Sequence, residues 1–189
     1  MVEIALPRRT ERLVLRSLRE TDAAELLAYR GHPDVCRYLM NEPHDQAGIE
    51  AFIAERAPRT SLADDRDSVL LAVELAGRVI GDVSLTTANV ADRQGEIGWV
   101  FHPGHQGHGY ATEAAGALLD LAFDEVGLHR VCAQLDPRNT ASEQLCVRLG
   151  MRQEAHLREE SWFKGEWGDL LVYAVLDREW RERRGASAT

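Results

Sequence analysis

The sequence has almost no lysine. Of its 22 basic residues, 21 are arginine and one is Lys164. Folding does not demand that ratio, which fits the codon bias of a GC-rich genome better. Cysteine is also scarce, at Cys36, Cys132 and Cys146. An odd number with no close spacing excludes a disulfide framework and a zinc ribbon. No stretch approaches the ~20 apolar residues of a membrane span, and the opening residues lack the apolar run of a signal peptide. A reduced cytoplasm is therefore the expected setting. Positive charge is in deficit, with 22 basic residues against 31 acidic ones and a net charge of −9. That balance disfavours a general nucleic-acid binder.

What is present is ordinary globular composition. The chain has 189 residues, 44% hydrophobic and 28% charged, enough to bury a real core. Residues 1–182 read as a single domain, and the polar segment 183–189 reads as a flexible C-terminal tail. There is no internal repeat or low-complexity linker.

The hydrophobic period alternates between two and 3.6. Arg12–Leu18 reads as a strand. Asp22 and Glu25 form an N-cap pair for a helix through Arg30, and a second helical stretch runs from about Asp45 to Ala57. Val69–Leu75 and Val79–Leu85 read as a hairpin around Ala76-Gly77, followed by a strand at Glu96–Phe101. From Gly109 to Glu125, residues Ala111, Ala114, Ala115, Leu118, Leu119, Ala122 and Phe123 fall on one helical face. Arg130–Leu135 is a strand. Thr140 and Glu143 have capping-box spacing at the start of a short helix ending at Gly150. Two strands, Gln153–Phe163 and Asp169–Leu176, close the chain around Lys164-Gly165. The fold class is α/β (α+β): one domain with a mixed, mostly antiparallel sheet flanked by helices.

The segment His102–Ala111 carries the clearest chemical signal. Gly104, Gly107 and Gly109 lie where a strand must turn into a helix. The first amides of a helix lack internal acceptors, and its dipole adds partial positive charge there. A glycine-rich turn at that point makes an anion site without lysine. The spacing matches neither a P-loop nor a dinucleotide fingerprint. His102, His105 and His108 repeat every three residues, but Pro103 and the glycines oppose a helix that would align them, so no metal is expected.

Gln106-Gly107-His108-Gly109-Tyr110-Ala111 resembles the Q/R-x-x-G-x-G/A acyl-CoA motif of the GNAT acetyltransferases. The longer stretch from Glu96 through Phe123 is similar to the RimJ/RimL branch, which acetylates protein N-termini. The likeness extends over nearly the whole chain. It includes T-x-R-L-x-L-R from Thr10 to Arg16, Asn139-x-x-Ser142, and the closing pattern of Trp162, Gly165, Trp167, Asp169, Tyr173 and Leu176.

The resemblance implies a sheet splayed at an acyl-CoA cleft, with acetyl-CoA as co-substrate. Gln106, Gly107, His108, Gly109, Tyr110 and Ala111 would cradle its pyrophosphate. Asn139 would lie beside the pantetheine, and a backbone N–H near Val100 would stabilise the oxyanion. The acceptor would be a primary amine, either a protein N-terminal α-amine or a small molecule. Transfer would be direct, through a tetrahedral intermediate. Glu96 is the candidate base, since it shares a strand face with Gly98 and Val100. Many relatives place a proton-donating tyrosine seven residues after the Asn. Cys146 stands there instead, so the acid or thiol-contact role moves to Ser142. Tyr29, Tyr38, Trp162, Phe163 and Trp167 are candidates for the acceptor wall or for packing. The late tryptophans also fit a subunit contact, in line with the homodimers common in this branch. Two alternatives stand beside this: a non-catalytic acyl-CoA-binding module on the same fold, and a transferase for a longer acyl group. A role on nucleic acid or at a membrane is not expected.

Overall fold

The computed structural model describes residues 2–187. Ten strands form: β1 (Val2–Glu3), β2 (Arg8–Arg9), β3 (Leu13–Ser17), β4 (Ser61–Leu62), β5 (Ser68–Leu75), β6 (Arg78–Asn89), β7 (Gln94–Phe101), β8 (Arg130–Leu135), β9 (Arg152–Phe163) and β10 (Glu166–Leu176). The helices are α1 (Ala23–Arg30), α2 (Pro33–Cys36), α3 (Gln46–Arg56), α4 (Tyr110–Asp120), α5 (Thr140–Arg148) and α6 (Asp177–Ser187). Eight strands form one sheet in the order β2-β3-β5-β6-β7-β8-β10-β9, and β1 pairs with β4 apart from it. Within the large sheet every pairing is antiparallel except β7 with β8.

Alternation along the strands supplies two apolar faces. On one face Leu13, Leu15, Leu71, Val73, Val83, Leu85, Ile97 and Val131 pack with Ala114, Leu118 and Phe123 of α4 and the turn after it, Leu145 of α5 and Trp180 of α6. On the other, Leu70, Ala72 and Val79 pack with Leu26 and Tyr29 of α1 and Ile49 and Ile53 of α3. Helices thus cover both faces, as the strand and helix periods predict.

The helix that follows the glycine-rich turn keeps its expected apolar face but changes pitch. After Asp120 the chain widens into a π turn, Leu121–Glu125, with Val126 N–H bonded to Leu121 O at 3.0 Å. The wider turn buries Leu121 as well as Ala122 and Phe123. Two caps differ from expectation. The N-cap of α5 is Asn139, whose side chain accepts the Ser142 amide at 3.1 Å, not Thr140. Asparagine is the stronger cap and sits one residue earlier, which frees Glu143 to accept the Tyr173 hydroxyl at 2.9 Å. Asp22 does precede α1, but its carboxylate serves Arg16 and the Arg19 amide instead. The polar segment expected as a tail from Arg183 is helical through Ser187, as part of α6. Residues 188–189 lie outside the described residues.

Two buried ion pairs pin the edge of the molecule that carries α1. The Arg16 guanidinium holds Asp22 at 2.8 and 2.9 Å and Glu74 at 2.7 Å. Arg30 holds Asp82 at 2.7 and 2.5 Å, and Tyr29 donates its hydroxyl to the same carboxylate at 2.7 Å. Such pairs add little over an apolar core, but removing one partner strands the other. Asp22→Ala should therefore destabilise the fold by about 3 kcal/mol in urea denaturation. A loss below ~1 kcal/mol would mean that water compensates Arg16.

Candidate functional site: a cleft where two strands part

The site begins with a pairing that stops early. β7 and β8 run parallel for only three residues, Gln94, Gly95 and Glu96 against Arg130, Val131 and Cys132. Beyond Glu96 the strands separate, although β7 continues to Phe101 and β8 to Leu135. Each keeps its other neighbour: Val100 pairs with Asp82 of β6, and Ala133 with Tyr173 of β10. The backbone groups that face the gap therefore lack a strand partner.

Ladder alternation identifies those groups on β7. The His102 amide donates to Ile80 O at 2.9 Å, and Val100 lies two residues earlier in the same register. Hydrogen-bonded pairs alternate along an antiparallel ladder, so the Val100 amide is directed to β6. The amides that open toward the gap are those of Trp99 and Phe101. The expected N–H near Val100 thus falls to one of its two neighbours, Trp99 or Phe101. The Val100 side chain still lines it.

Two cavities meet in the gap. One, of about 400 Å³, runs toward the glycine-rich turn, with Phe101, Pro103, Gln106, Ala111, Leu145 and Arg148 on its walls. The other, of about 330 Å³, runs toward α1 and α3, where Arg30, Phe52 and Arg56 lie. They share Tyr38, Leu39, Trp99, Val100, Asn139 and Ser142. Asn139 and Ser142 thus stand at the junction.

The turn has the conformation an anion site needs. Gly107 and Gly109 take φ of +80° and +81°, a region that disfavours any side chain. Gly109 is the N-cap of α4, and the first helical bond returns from the Glu113 amide to Gly109 O at 3.0 Å. Amides ahead of Glu113 have no acceptor inside the helix. Sequence reasoning missed the charge that supports this turn. Arg12, from the distant N-terminal segment, donates to His108 O at 3.0 Å, lies 4.7 Å from the Tyr110 ring centroid and pairs with Glu113 at 2.7 Å. Arg148 lines the cleft from α5. The histidines serve the turn itself: His102 Nδ1 accepts the Gly104 amide at 3.0 Å, and His108 Nδ1 lies 2.8 Å from Gln106 O. Among the described residues no group of three or more His, Cys, Asp or Glu is arranged to hold a metal.

Ser142 Oγ accepts the Trp99 indole N–H at 3.1 Å, an interaction the sequence did not announce. In accepting that bond the hydroxyl keeps its own proton for another acceptor. Cys146 lies in the core, where burial raises its thiol to about 12, so it is no nucleophile. Glu96 sits at the vertex where the strands part. Its Oε2 accepts Gln134 Nε2 at 3.1 Å, and Gln134 lines the second cavity, whereas Glu96 is on the lining of neither. Burial holds the Glu96 carboxyl above the usual carboxylate range. Tyr38 lines both cavities, but Tyr29 is fully buried beneath them. Trp162 and Trp167 are exposed at the tip of the β9–β10 hairpin, edge to face at 5.4 Å, and with Phe163 stand outside both cavities.

A carboxyl raised in the folded state opposes folding once it ionises. Its cost is absent below the unfolded pKa and grows as pH rises through the folded one. Glu96→Gln should therefore raise the melting temperature at pH 7, and the gain should vanish near pH 4. An equal gain at both pH values would exclude burial of the charge as its cause.

The family model described as an acetyltransferase (GNAT) domain matches residues 12–152. Among curated relatives, the uncharacterized N-acetyltransferase YnaD of Bacillus subtilis is 29% identical over 171 residues, covering 90% of this chain and 97% of that protein. A GNAT-family acetyltransferase from Bacillus anthracis superposes with a TM-score of 0.83 at 28% identity, covering 92% of this chain and all of that one. Spermidine N-acetyltransferase from Vibrio cholerae, solved with CoA and spermine, shares the fold with a TM-score of 0.77 at 24% identity, over 91% of this chain and 99% of that one. With its parted strands, glycine-rich helix start and capped α5, the chain belongs to the GNAT acetyltransferase family.

Proposed function

We propose that the protein transfers an acetyl group from acetyl-CoA to a primary amine, in the manner of the RimJ/RimL branch that its motifs resemble. The observation that carries this reading is the junction of two cavities at Asn139, Ser142 and Trp99, with an amide-rich turn at the end of one. Acetyl-CoA supplies an activated thioester carbonyl. The residues of the first cavity suit it: the amides of Gly107–Ala111 and the nearby Arg12 and Arg148 match a pyrophosphate, and the unpaired β7 edge suits the amides of a pantetheine arm. Gln106 and Asn139 contribute side-chain amides on the same walls.

At the junction, the Trp99 or Phe101 amide donates to the carbonyl oxygen as negative charge develops there. The acceptor nitrogen attacks the carbonyl carbon, so a C–N bond forms and the C–S bond breaks. One proton leaves the nitrogen and one reaches the sulfur. Glu96 takes the first through a water, since it is on the lining of neither cavity. A raised carboxyl pKa brings it closer to the operating pH and improves it as a base. Ser142, oriented by the Trp99 indole and the Asn139 cap, donates to the departing sulfur. An α-amine, with a pKa near ~8, needs less assistance than a lysine side chain near ~10.4. Lys164 is in any case committed, since its ammonium donates to Cys36 O at 2.6 Å.

The purified protein should release free thiol from acetyl-CoA when given a suitable amine. Glu96→Gln should lower kcat by about 10²-fold while leaving CoA affinity within twofold. Tight CoA binding with no transfer to any amine would favour the non-catalytic alternative. Full kcat in Glu96→Gln would remove that residue from the reaction.

A further inference from the structure

We propose that the acceptor is a small amine that also carries an anionic group, a carboxylate or a phosphate, and that Arg56 binds that group. This rests on the transfer reading above and adds the chemical class of the acceptor.

The net charge of −9 points the other way, toward a cationic partner, but the acceptor cavity has its own balance. Four formal charges reach its wall: Arg30, Arg56, Asp82 and Asp136. Both carboxylates are already committed. Asp82, 1% exposed, accepts two bonds from Arg30 and one from Tyr29. Asp136 takes Arg138 on both oxygens, at 2.9 and 2.6 Å, and the Arg138 amide at 2.8 Å. Each is already neutralised by an arginine, and Asp82 is closed off by burial.

Arg56 is in the opposite condition. Its nearest carboxylate is Glu55, at 3.6 Å from Nε, beyond hydrogen-bond reach. The same Glu55 oxygen is held at 2.8 Å by Arg59. Arg56 Nε is buried without a hydrogen-bond partner, and no other side-chain nitrogen or oxygen among the described residues shares that state. The side chain as a whole is 31% exposed and reaches the cavity, where the terminal N–H groups of the guanidinium fork are placed to take an anion. Phe52 fixes the position. The Arg30 and Arg56 guanidinium carbons lie 4.6 and 5.6 Å from its ring centroid, so both cations are held against one aromatic side chain.

The cavity therefore pairs a reaction junction with a cation whose one carboxylate neighbour, Glu55, is shared with Arg59 and lies beyond hydrogen-bond reach of it. A diamine would bring its second ammonium toward Arg56 with no free carboxylate to receive it. An amino acid or an aminoalkyl phosphonate would satisfy both ends. The cavity of about 330 Å³ suits a molecule of that size.

The test is thiol release from acetyl-CoA with acceptors matched in length: β-alanine, β-alaninamide, 2-aminoethylphosphonate and 1,3-diaminopropane, with glycine and glycinamide as an α-amine pair. At least one acidic acceptor should exceed its neutral and dicationic counterparts in kcat/KM by about tenfold or more. Comparing β-alanine with the phosphonate separates carboxylate from phosphate. Arg56→Gln should abolish the preference mainly through KM, and Arg56→Lys should restore part of it. Equal or better use of the diamine or the amides would overturn the proposal, as would an intact preference in Arg56→Gln. Acetylation of peptides with acidic N-termini but of no small acid would overturn it too. If CoA binds and no acceptor is turned over, the transfer reading fails, and calorimetric titration of N-acetylglutamate into the CoA-loaded protein decides the inference. Binding lost in Arg56→Gln would support it, and no binding to the unaltered chain would overturn it.

Discussion

The molecule is organised around a hydrogen-bond ladder that ends three residues after it begins. The parallel pairing of β7 with β8 is the one break in an otherwise antiparallel sheet, and beyond Glu96 the two strands part while each stays bonded to its outer neighbour. Unpaired strand backbone buried in a protein would be costly. Here the parted edges open onto a cleft instead, and the same edge that would be a defect elsewhere is free to bind an extended amide chain. Everything in the candidate site is measured from that opening. Glu96 stands at its vertex, Trp99 and Phe101 on one edge, and Asn139 and Ser142 at the helix start across it.

Charge is arranged locally against the sign of the whole. The acidic surplus says little about either end of the cleft. At the glycine-rich turn, backbone amides and a helix dipole supply partial positive charge, with Arg12 donating to His108 O from the bend ahead of β3, about a hundred residues away in sequence. In the second cavity, buried Asp82 is taken by Arg30 and partly buried Asp136 by the exposed Arg138, while Arg56 keeps only Glu55, at 3.6 Å from Nε. The preference for arginine over lysine suits these tasks, because a planar fork can serve a carboxylate and an aromatic ring together. A net charge therefore cannot forecast the charge a cavity presents.

Local pattern was legible in the sequence wherever it was strong. The apolar face of α4, the hairpins and the glycine-rich turn into α4 all follow from periodicity and glycine spacing, and the strand face shared by Glu96, Gly98 and Val100 follows from alternation. What escaped were contacts between distant segments. Nothing near Arg12 announces His108, and nothing near Ser142 announces the Trp99 indole. Which amide near Val100 opens to the gap depends on register with β6, which a single strand does not reveal. The α5 cap was misassigned by one residue because two residues in a row had capping chemistry and only the geometry chooses between them. Arg56 could not be singled out among 21 arginines, since its distinction is a missing partner.

The most direct test of the central claim is a crystal structure of the protein with CoA. The account predicts the pyrophosphate on the amides of Gly107–Ala111, the pantetheine along the open edge of β7, and the sulfur at the junction beside Ser142. CoA bound elsewhere, or β7 and β8 closed together along their length, would contradict it.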